Sequence, residues 1–196
     1  MKKLVNAMGM PCPQPVILAK KALSEFSEVV IKVDNDAAKQ NVSRFGQANG
    51  CDISCAEILG GWELTLLKKS KGISEIKDSE KGSEQALSIL IKSEWFGTGD
   101  QSLGEILMKS YLYALTEVEI EIKYLIFMNS GINLTCNGSQ VLDSLKALIE
   151  QGAEIFSCGT CLKFYNKEEQ LAIGKVTNMY SAIEMLAEKN CKNITI

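Results

Sequence analysis

The apolar residues of this chain change period several times, and each change marks an element. Residues 3–6 predict a short strand. Ala19, Ala22, Leu23 and Phe26 then recur at helical spacing, which predicts a helix over 13–26. Val29, Ile31 and Val33 alternate as a half-buried strand does. Ala38, Val42 and Phe45 stripe a second helix, with Asp36 as its expected N-cap and Gly50 as its stop. Cys51, Ile53 and Cys55 fall on one face of a third strand, which places both thiols toward a core. Gly60-Gly61 predicts a hairpin turn into a fourth strand carrying Trp62, Leu64 and Leu66. The order is β-α-β-α-β-β.

From Lys68 to Glu84 apolar residues thin out and charge accumulates, as in a linker. Beyond it, strand and helix patterns alternate, which predicts an α/β layer on a mainly parallel sheet. Expected strands are 86–91, 124–128, 153–157 and 193–196. The run Ser102-Leu103-Gly104-Glu105 matches a capping box. The helix it opens should turn Leu107, Tyr111, Ala114, Leu115 and Val118 inward. Val141, Leu145, Leu148 and Ile149 stripe a further helix closed by Gly152. Met179, Ile183 and Leu186 stripe a last one, capped by Thr177 or Asn178.

Composition narrows the chemistry. The 196 residues suffice for one large domain or two small ones. No apolar run has the length of a membrane span, and the N-terminus lacks the apolar segment of a signal peptide. A net charge of −3 gives no whole-molecule attraction to nucleic acid. Seven cysteines, an odd number with no sign of secretion, point to cytoplasmic thiols rather than a disulfide framework. Histidine is absent, which removes Ser-His-Asp and Cys-His catalysis and His-ligated metals. Acid–base or nucleophilic work falls to Cys, Lys, Tyr, Asp or Glu.

Two cysteine motifs stand out. In Pro11-Cys12-Pro13-Gln14-Pro15 the thiol lies at the entry to the first helix. Proline is tolerated in a first helical turn because its missing N–H has no intrahelical partner there. A helix N-terminus favours an anion, and a thiolate is one, so the position favours a reactive sulfur. The competing reading is a buried cysteine in a tight turn. The second motif, Cys158-Gly159-Thr160-Cys161, follows a buried strand, where open α/β sheets place their ligand sites. Two thiols at this spacing form a redox pair, supply half a zinc site, or simply fill a strand end. Zinc would need a second knuckle, for which Cys51-x₃-Cys55 is a poor match. Cys136 is placed to line the same sheet edge, and Cys191 lies in a polar late turn. Gly97-Thr98-Gly99-Asp100 offers backbone N–H groups to an anion or is a plain loop; it matches no P-loop or dinucleotide fingerprint. Trp95 and Phe96 beside it fill a core or anchor a partner.

With these motifs in view, the first half resembles the TusA/SirA sulfur-carrier family, through its Cys-Pro-x-Pro motif in a β-α-β-α-β-β chain. The second half resembles the DsrE/DsrF-like domain, through Ile106–Tyr113, Ser144–Leu148 and Cys158–Tyr165. Together in this order they resemble the YedF family, linked to selenium metabolism. The resemblance implies an α/β fold of two domains. A two-layer TusA-like sandwich over 1–68 would be joined by a linker over 69–84 to a three-layer, mainly parallel DsrE-like domain over 85–196. It implies that Cys12 carries a persulfide and that Cys158 or Cys161, with Cys161 favoured, passes sulfur on. The implied activity is sulfurtransferase-like carriage of sulfur or selenium between thiols, rather than conventional turnover, with no cofactor and no metal. A dithiol–disulfide oxidoreductase or a regulatory binding module is the alternative. Implied partners are a cysteine desulfurase or other persulfide donor, an acceptor protein thiol, and further copies of the chain through the second domain. Neither membrane nor nucleic acid is expected as a partner. One departure is plain: the family often has an acid and an arginine before the motif, where this chain has Asn6-Ala7-Met8-Gly9.

Overall fold

The computed structural model describes residues 2–69 and 85–196. The chain divides into two compact units, Met1–Glu80 and Lys81–Ile196. The expected linker, from residue 70 onward, lies outside the described residues.

The first unit is built from β1 (Lys2–Asn6), α1 (Gln14–Glu25), β2 (Glu28–Val33), α2 (Asp36–Ala48), β3 (Cys51–Ile58) and β4 (Gly61–Lys68). Its sheet has the order β1-β2-β4-β3, with β1 parallel to β2 and the other pairs antiparallel. Both helices bury one face against it. Ala19, Ala22 and Leu23 of α1 and Val42 of α2 share a core with Val29, Ile31, Val33, Leu64 and Leu66. Val30 departs from the half-buried alternation. It is also buried, because on its own face of a central strand it lies between Leu4 and Thr65.

Two local expectations shift by one residue. The N-cap of α2 is Asn35 rather than Asp36: the Asn35 side chain accepts the Ala38 N–H at 2.8 Å. The hairpin loop is Leu59-Gly60, because Gly61 is already paired with Ile58. Gly60 takes the left-handed φ of +82° that the turn requires.

The second unit contains β5 (Ala86–Ile91), α3 (Gln101–Leu115), β6 (Ile122–Phe127), α4 (Leu142–Glu150), β7 (Glu154–Cys158), α5 (Gly159–Phe164), β8 (Lys175–Thr177), α6 (Met179–Leu186) and β9 (Cys191–Thr195). A 3-10 turn, Asn129–Thr135, follows β6. All paired strands are parallel, in the order β8-β7-β6-β5-β9. Met108, Leu112, Leu145 and Leu148 pack on one face of this sheet against Ile89, Ile91, Leu125 and Phe127. On the other face Ala182, Met185 and Leu186 of α6 meet Ile126 and Cys158. The unit therefore has three layers.

Two helices here, α3 and α6, depart in part from their expected faces, while α4 keeps its own except at Ile149. Met108, Leu112 and Leu115 of α3 are buried, whereas Leu107 and Val118 are exposed. The cap differs too: Asp100, not Ser102, accepts the Leu103 N–H, at 3.0 Å, so the helix starts earlier. That carboxylate also occupies the position an external anion would take after Gly97-Thr98-Gly99. Phe96 meets Tyr111 in a tilted contact with ring centroids 5.3 Å apart and packs against the core. Asn178 caps α6, accepting from Ser181 N–H at 3.0 Å, but Met179 and Ile183 remain exposed. Among the described residues no helix is long and apolar enough to cross a membrane.

Candidate functional site

Cys12 is exposed and sits two residues before α1. The loop before it is tied down from two sides. Asn6 Oδ1 accepts the Met8 N–H at 3.2 Å, and Asp34 Oδ2 accepts the Gly9 N–H at 2.5 Å. Gly9 has φ +73°, a conformation open to glycine at little cost. The Gly9 N–H, followed by the Asn35 side-chain amide, holds the Asp34 carboxyl below the usual range. An acid thus braces the motif after all, but it arrives from the turn between β2 and α2.

The first helical turn does not offer Cys12 the row of backbone amides that the sequence suggests. Pro13 and Pro15 have no N–H. The Gln14 N–H goes to Pro11 O at 3.0 Å, and those of Val16 and Ile17 go to Pro13 O at 3.0 and 3.2 Å. A side-chain donor reaches the sulfur instead: Asn41 Nδ2 of α2 lies 3.9 Å from Cys12 Sγ, at the long end for a sulfur contact. Around the thiol, Met10, Pro11, Pro13, Val16 and Ala38 line a pocket of about 80 Å³. Pockets for metabolites run from roughly 300 Å³ upward. This one has room for an added sulfur atom and an apolar rim for a partner that brings it.

Cys51 is buried as expected, and burial pushes its thiol titration up. Cys55 corrects the expectation of a core residue. It is exposed, in an open groove with Lys39, Arg44 and Trp62, because β3 is an edge strand that α2 only partly covers.

In the second unit, Cys158 ends β7 and is the N-cap residue of α5, while Cys161 is the third residue of that helix. Residues three apart on a helix are neighbours, and Cys161 packs against the cluster that holds Cys158. Cys158 is 4% exposed, and Cys161 is half-buried. The Asn129 backbone N–H donates to Cys161 Sγ at 3.1 Å. Asn129 adopts φ +50°, a left-handed conformation that Asn tolerates better than most residues, and this turns its N–H toward the thiol. Its side-chain oxygen accepts the Tyr165 hydroxyl at 2.8 Å, which ties the turn after β6 to the end of α5. Beneath, the Thr135 hydroxyl donates to Ile132 O at 2.8 Å. That leaves Ser157 as the donor in its 2.8 Å contact with Thr135, fastening the same turn to β7.

The pair therefore lies at the carboxyl edge of the sheet, as the sequence predicts. It is not at the switch of strand order, which falls between β5 and β9. Cys136 does not share that edge as an open thiol. It is fully buried and donates to Ile132 O at 3.2 Å, and burial raises its titration. A separate cleft of about 340 Å³, lined by Glu94, Lys109, Asn133 and Lys167, does not reach the pair. Cys191 opens β9 and is half-buried.

Burial, then the neighbouring Cys158 thiol, raises the Cys161 titration, with the Asn129 N–H opposing them. The Cys161 thiolate fraction at neutral pH should thus fall below that of an ordinary cysteine. Alkylation of Cys161 by iodoacetamide, followed by peptide mass, should keep rising with pH beyond the ordinary midpoint of 9.0. A rate that levels off below that midpoint would contradict the assigned surroundings.

Asn129 and Asn41 escape the sequence reading because each acts across the fold. Only the tolerance of Asn for positive φ directly after a strand hints at Asn129.

The first unit is thus a small α/β domain that presents an exposed thiol on a proline-flanked turn. Residues 3–68 match the family described as Sulfurtransferase TusA, and the N-terminal region of this chain is a TusA-family domain. Among solved structures, the chain is similar to a SirA-like protein from Desulfitobacterium hafniense. The identity is 33% over 35% of this chain and 99% of that one, with a TM-score of 0.33. It is also similar to a protein of unknown function from Methanobacterium thermoautotrophicum, at 16% identity over 57% of this chain and 98% of that one, TM-score 0.43. The ychN protein from E. coli shows 16% identity over 55% of this chain and 99% of that one, TM-score 0.41. No curated protein matches the chain.

Proposed function

We propose that this protein is a sulfur (or selenium) relay, with Cys12 as the carrier thiol. The observation that carries the reading is an exposed sulfur in an apolar pocket of about 80 Å³, within a TusA-family domain. In the loading step the Cys12 thiolate attacks the terminal sulfur of a donor persulfide, R–S–SH. The donor S–S bond breaks, a new one forms as Cys12–S–SH, and the donor leaves as R–S⁻. No net oxidation occurs, and no histidine is required. The rate follows thiolate fraction, leaving group and access, as in disulfide exchange.

The onward acceptor is Cys161 in the second unit of the same or another chain. Burial raises its titration, and a more basic thiolate, once formed, is the stronger nucleophile and the poorer leaving group. The arrangement of motifs fits the YedF family, with the second unit as its DsrE-like half. The donor class is a cysteine desulfurase. Further copies of the chain would assemble through the exposed apolar face of the second unit, where Val176, Met179, Tyr180 and Ile183 stand open. The cytoplasm, where thiols stay reduced, suits this chemistry.

Incubation with a cysteine desulfurase and cysteine should add one sulfur, about 32 Da by intact-protein mass spectrometry, to the peptide holding Cys12. A Cys12 peptide of unchanged mass, beside a desulfurase that demonstrably forms its own persulfide, would defeat the reading.

A further inference from the structure

Cys158 has no part in a relay that ends on Cys161, yet it is held against it. Three observations define the pair. Cys158 and Cys161 occupy the N-cap and third positions of α5, three residues apart, and Cys161 packs against the cluster that holds Cys158. Cys158 is sealed to 4% exposure beside Ile126, Met128 and Ala182, while Cys161 is half-open. The Asn129 N–H, held by its left-handed turn and the Tyr165 hydroxyl, fixes Cys161 Sγ at 3.1 Å. An outer thiol is thus open to incoming sulfur, and an inner thiol is within reach of the same atom but closed to the donor.

We propose that the pair is a reductive release site: Cys161 takes up sulfane sulfur, and Cys158 then expels it as hydrosulfide. It rests on the relay reading only for where the sulfur comes from. The Cys158 thiolate attacks Cys161 Sγ of Cys161–S–SH. The Sγ–S bond breaks and its electron pair leaves with the terminal sulfur as HS⁻. A Cys158–Cys161 disulfide forms. The sulfane sulfur is reduced, the two thiols are oxidised, and the thiol proton of Cys158 passes to solvent. A dithiol reductant restores the pair for a second round.

Leaving-group chemistry selects this outcome over migration of the persulfide to Cys158. Attack at the outer sulfur would expel the Cys161 thiolate, whose basicity burial raises. Attack at the inner sulfur expels hydrosulfide, the conjugate base of a stronger acid than an alkyl thiol, and the less basic group leaves faster. With selenium as cargo the same step would release hydroselenide.

The full-length chain is loaded with inorganic polysulfide, which bypasses any protein donor, and then desalted. Released hydrosulfide is trapped with monobromobimane, and the Cys158–Cys161 peptide is followed by mass. The expected result is one hydrosulfide for each disulfide formed, at a rate independent of protein concentration. In Cys158→Ser and Cys158→Ala, each checked for native circular dichroism, release at this site should fall by at least ~10-fold while the added sulfur stays on Cys161. Unchanged release in both variants, persulfide moving to Cys158 without hydrosulfide, or no sulfur on Cys161 at all would each overturn the proposal. Failure of desulfurase to load Cys12 bears on the relay instead and leaves these readouts untouched.

Discussion

Replacing Cys12 with serine should abolish sulfur loading of the first unit by a cysteine desulfurase. Serine preserves the shape of the side chain but removes the atom that forms the S–S bond, and its hydroxyl is not ionised at working pH. The fold should not respond. Cys12 is exposed, and surface substitutions of this kind change stability by about 0.5 kcal/mol or less. The other thiols of the unit supply the contrast. Cys51 is buried, so a donor protein cannot reach it. Cys55 is exposed, but it lies in an open groove beside Lys39 and Trp62, with no enclosing pocket of its own. Cys55→Ser should therefore load as the native chain does. Asn41→Ala tests a finer point, since the Asn41 side chain contacts Cys12 Sγ at 3.9 Å from another helix. It should slow loading without preventing it. Full loading of Cys12→Ser on Cys55, at the native rate, would move the carrier site to the groove and end the present assignment.

Much of the fold is legible in the sequence because it rests on periodicity, which is local. The stripes Ala19-Ala22-Leu23 and Val141-Leu145-Leu148 become buried faces as they stand. What the sequence hides is the choice between neighbouring residues of equal local merit. Asp34, Asn35 and Asp36 are all good helix caps. Asp34 is engaged with Gly9 N–H from a distant loop, and Asn35 takes the cap. The same holds at Asp100 and Ser102, where the serine hydroxyl donates to the aspartate that caps the helix. The α6 stripe shows another limit. Met179 and Ile183 have core spacing but stay exposed, since period alone does not say whether a partner layer exists.

The candidate sites divide in the same way. Proline placement puts Cys12 at a helix entry, and the position survives. The electrostatic reason does not survive intact, because the prolines that announce the helix also remove its amide donors. The thiol pair at Cys158 and Cys161 follows from spacing. The donor that turns one of its members into a fixed acceptor, the Asn129 N–H, comes from a separate strand end and leaves no local trace.

The largest purely structural effect should come from Gly61→Ala, and it should reach Cys12. A Cβ at Gly61 would stand 2.1 Å from Val33 O and 2.9 Å from Asp34 Cα. Both are backbone atoms, so no side-chain rotation relieves the clash, and overpacking against backbone costs about 3 kcal/mol. That is a large part of what a unit this small commands at about 0.1 kcal/mol per residue. The strain enters where β2 pairs with β4, at Val33 and Trp62, and where the chain turns into α2. Displacing Asp34 there moves the acceptor of the Gly9 N–H, and with it the loop that presents the carrier thiol. Gly61→Ala should therefore lower the urea midpoint of the first unit and slow desulfurase loading in the part that stays folded. Each unit holds one tryptophan, Trp62 in the first and Trp95 in the second, so Trp95→Phe leaves a fluorescence signal that reports the first unit alone. An unmoved midpoint in Gly61→Ala would mean that β2 and β4 do not approach as described, and the bracing of the Cys12 loop through Asp34 would fall with them.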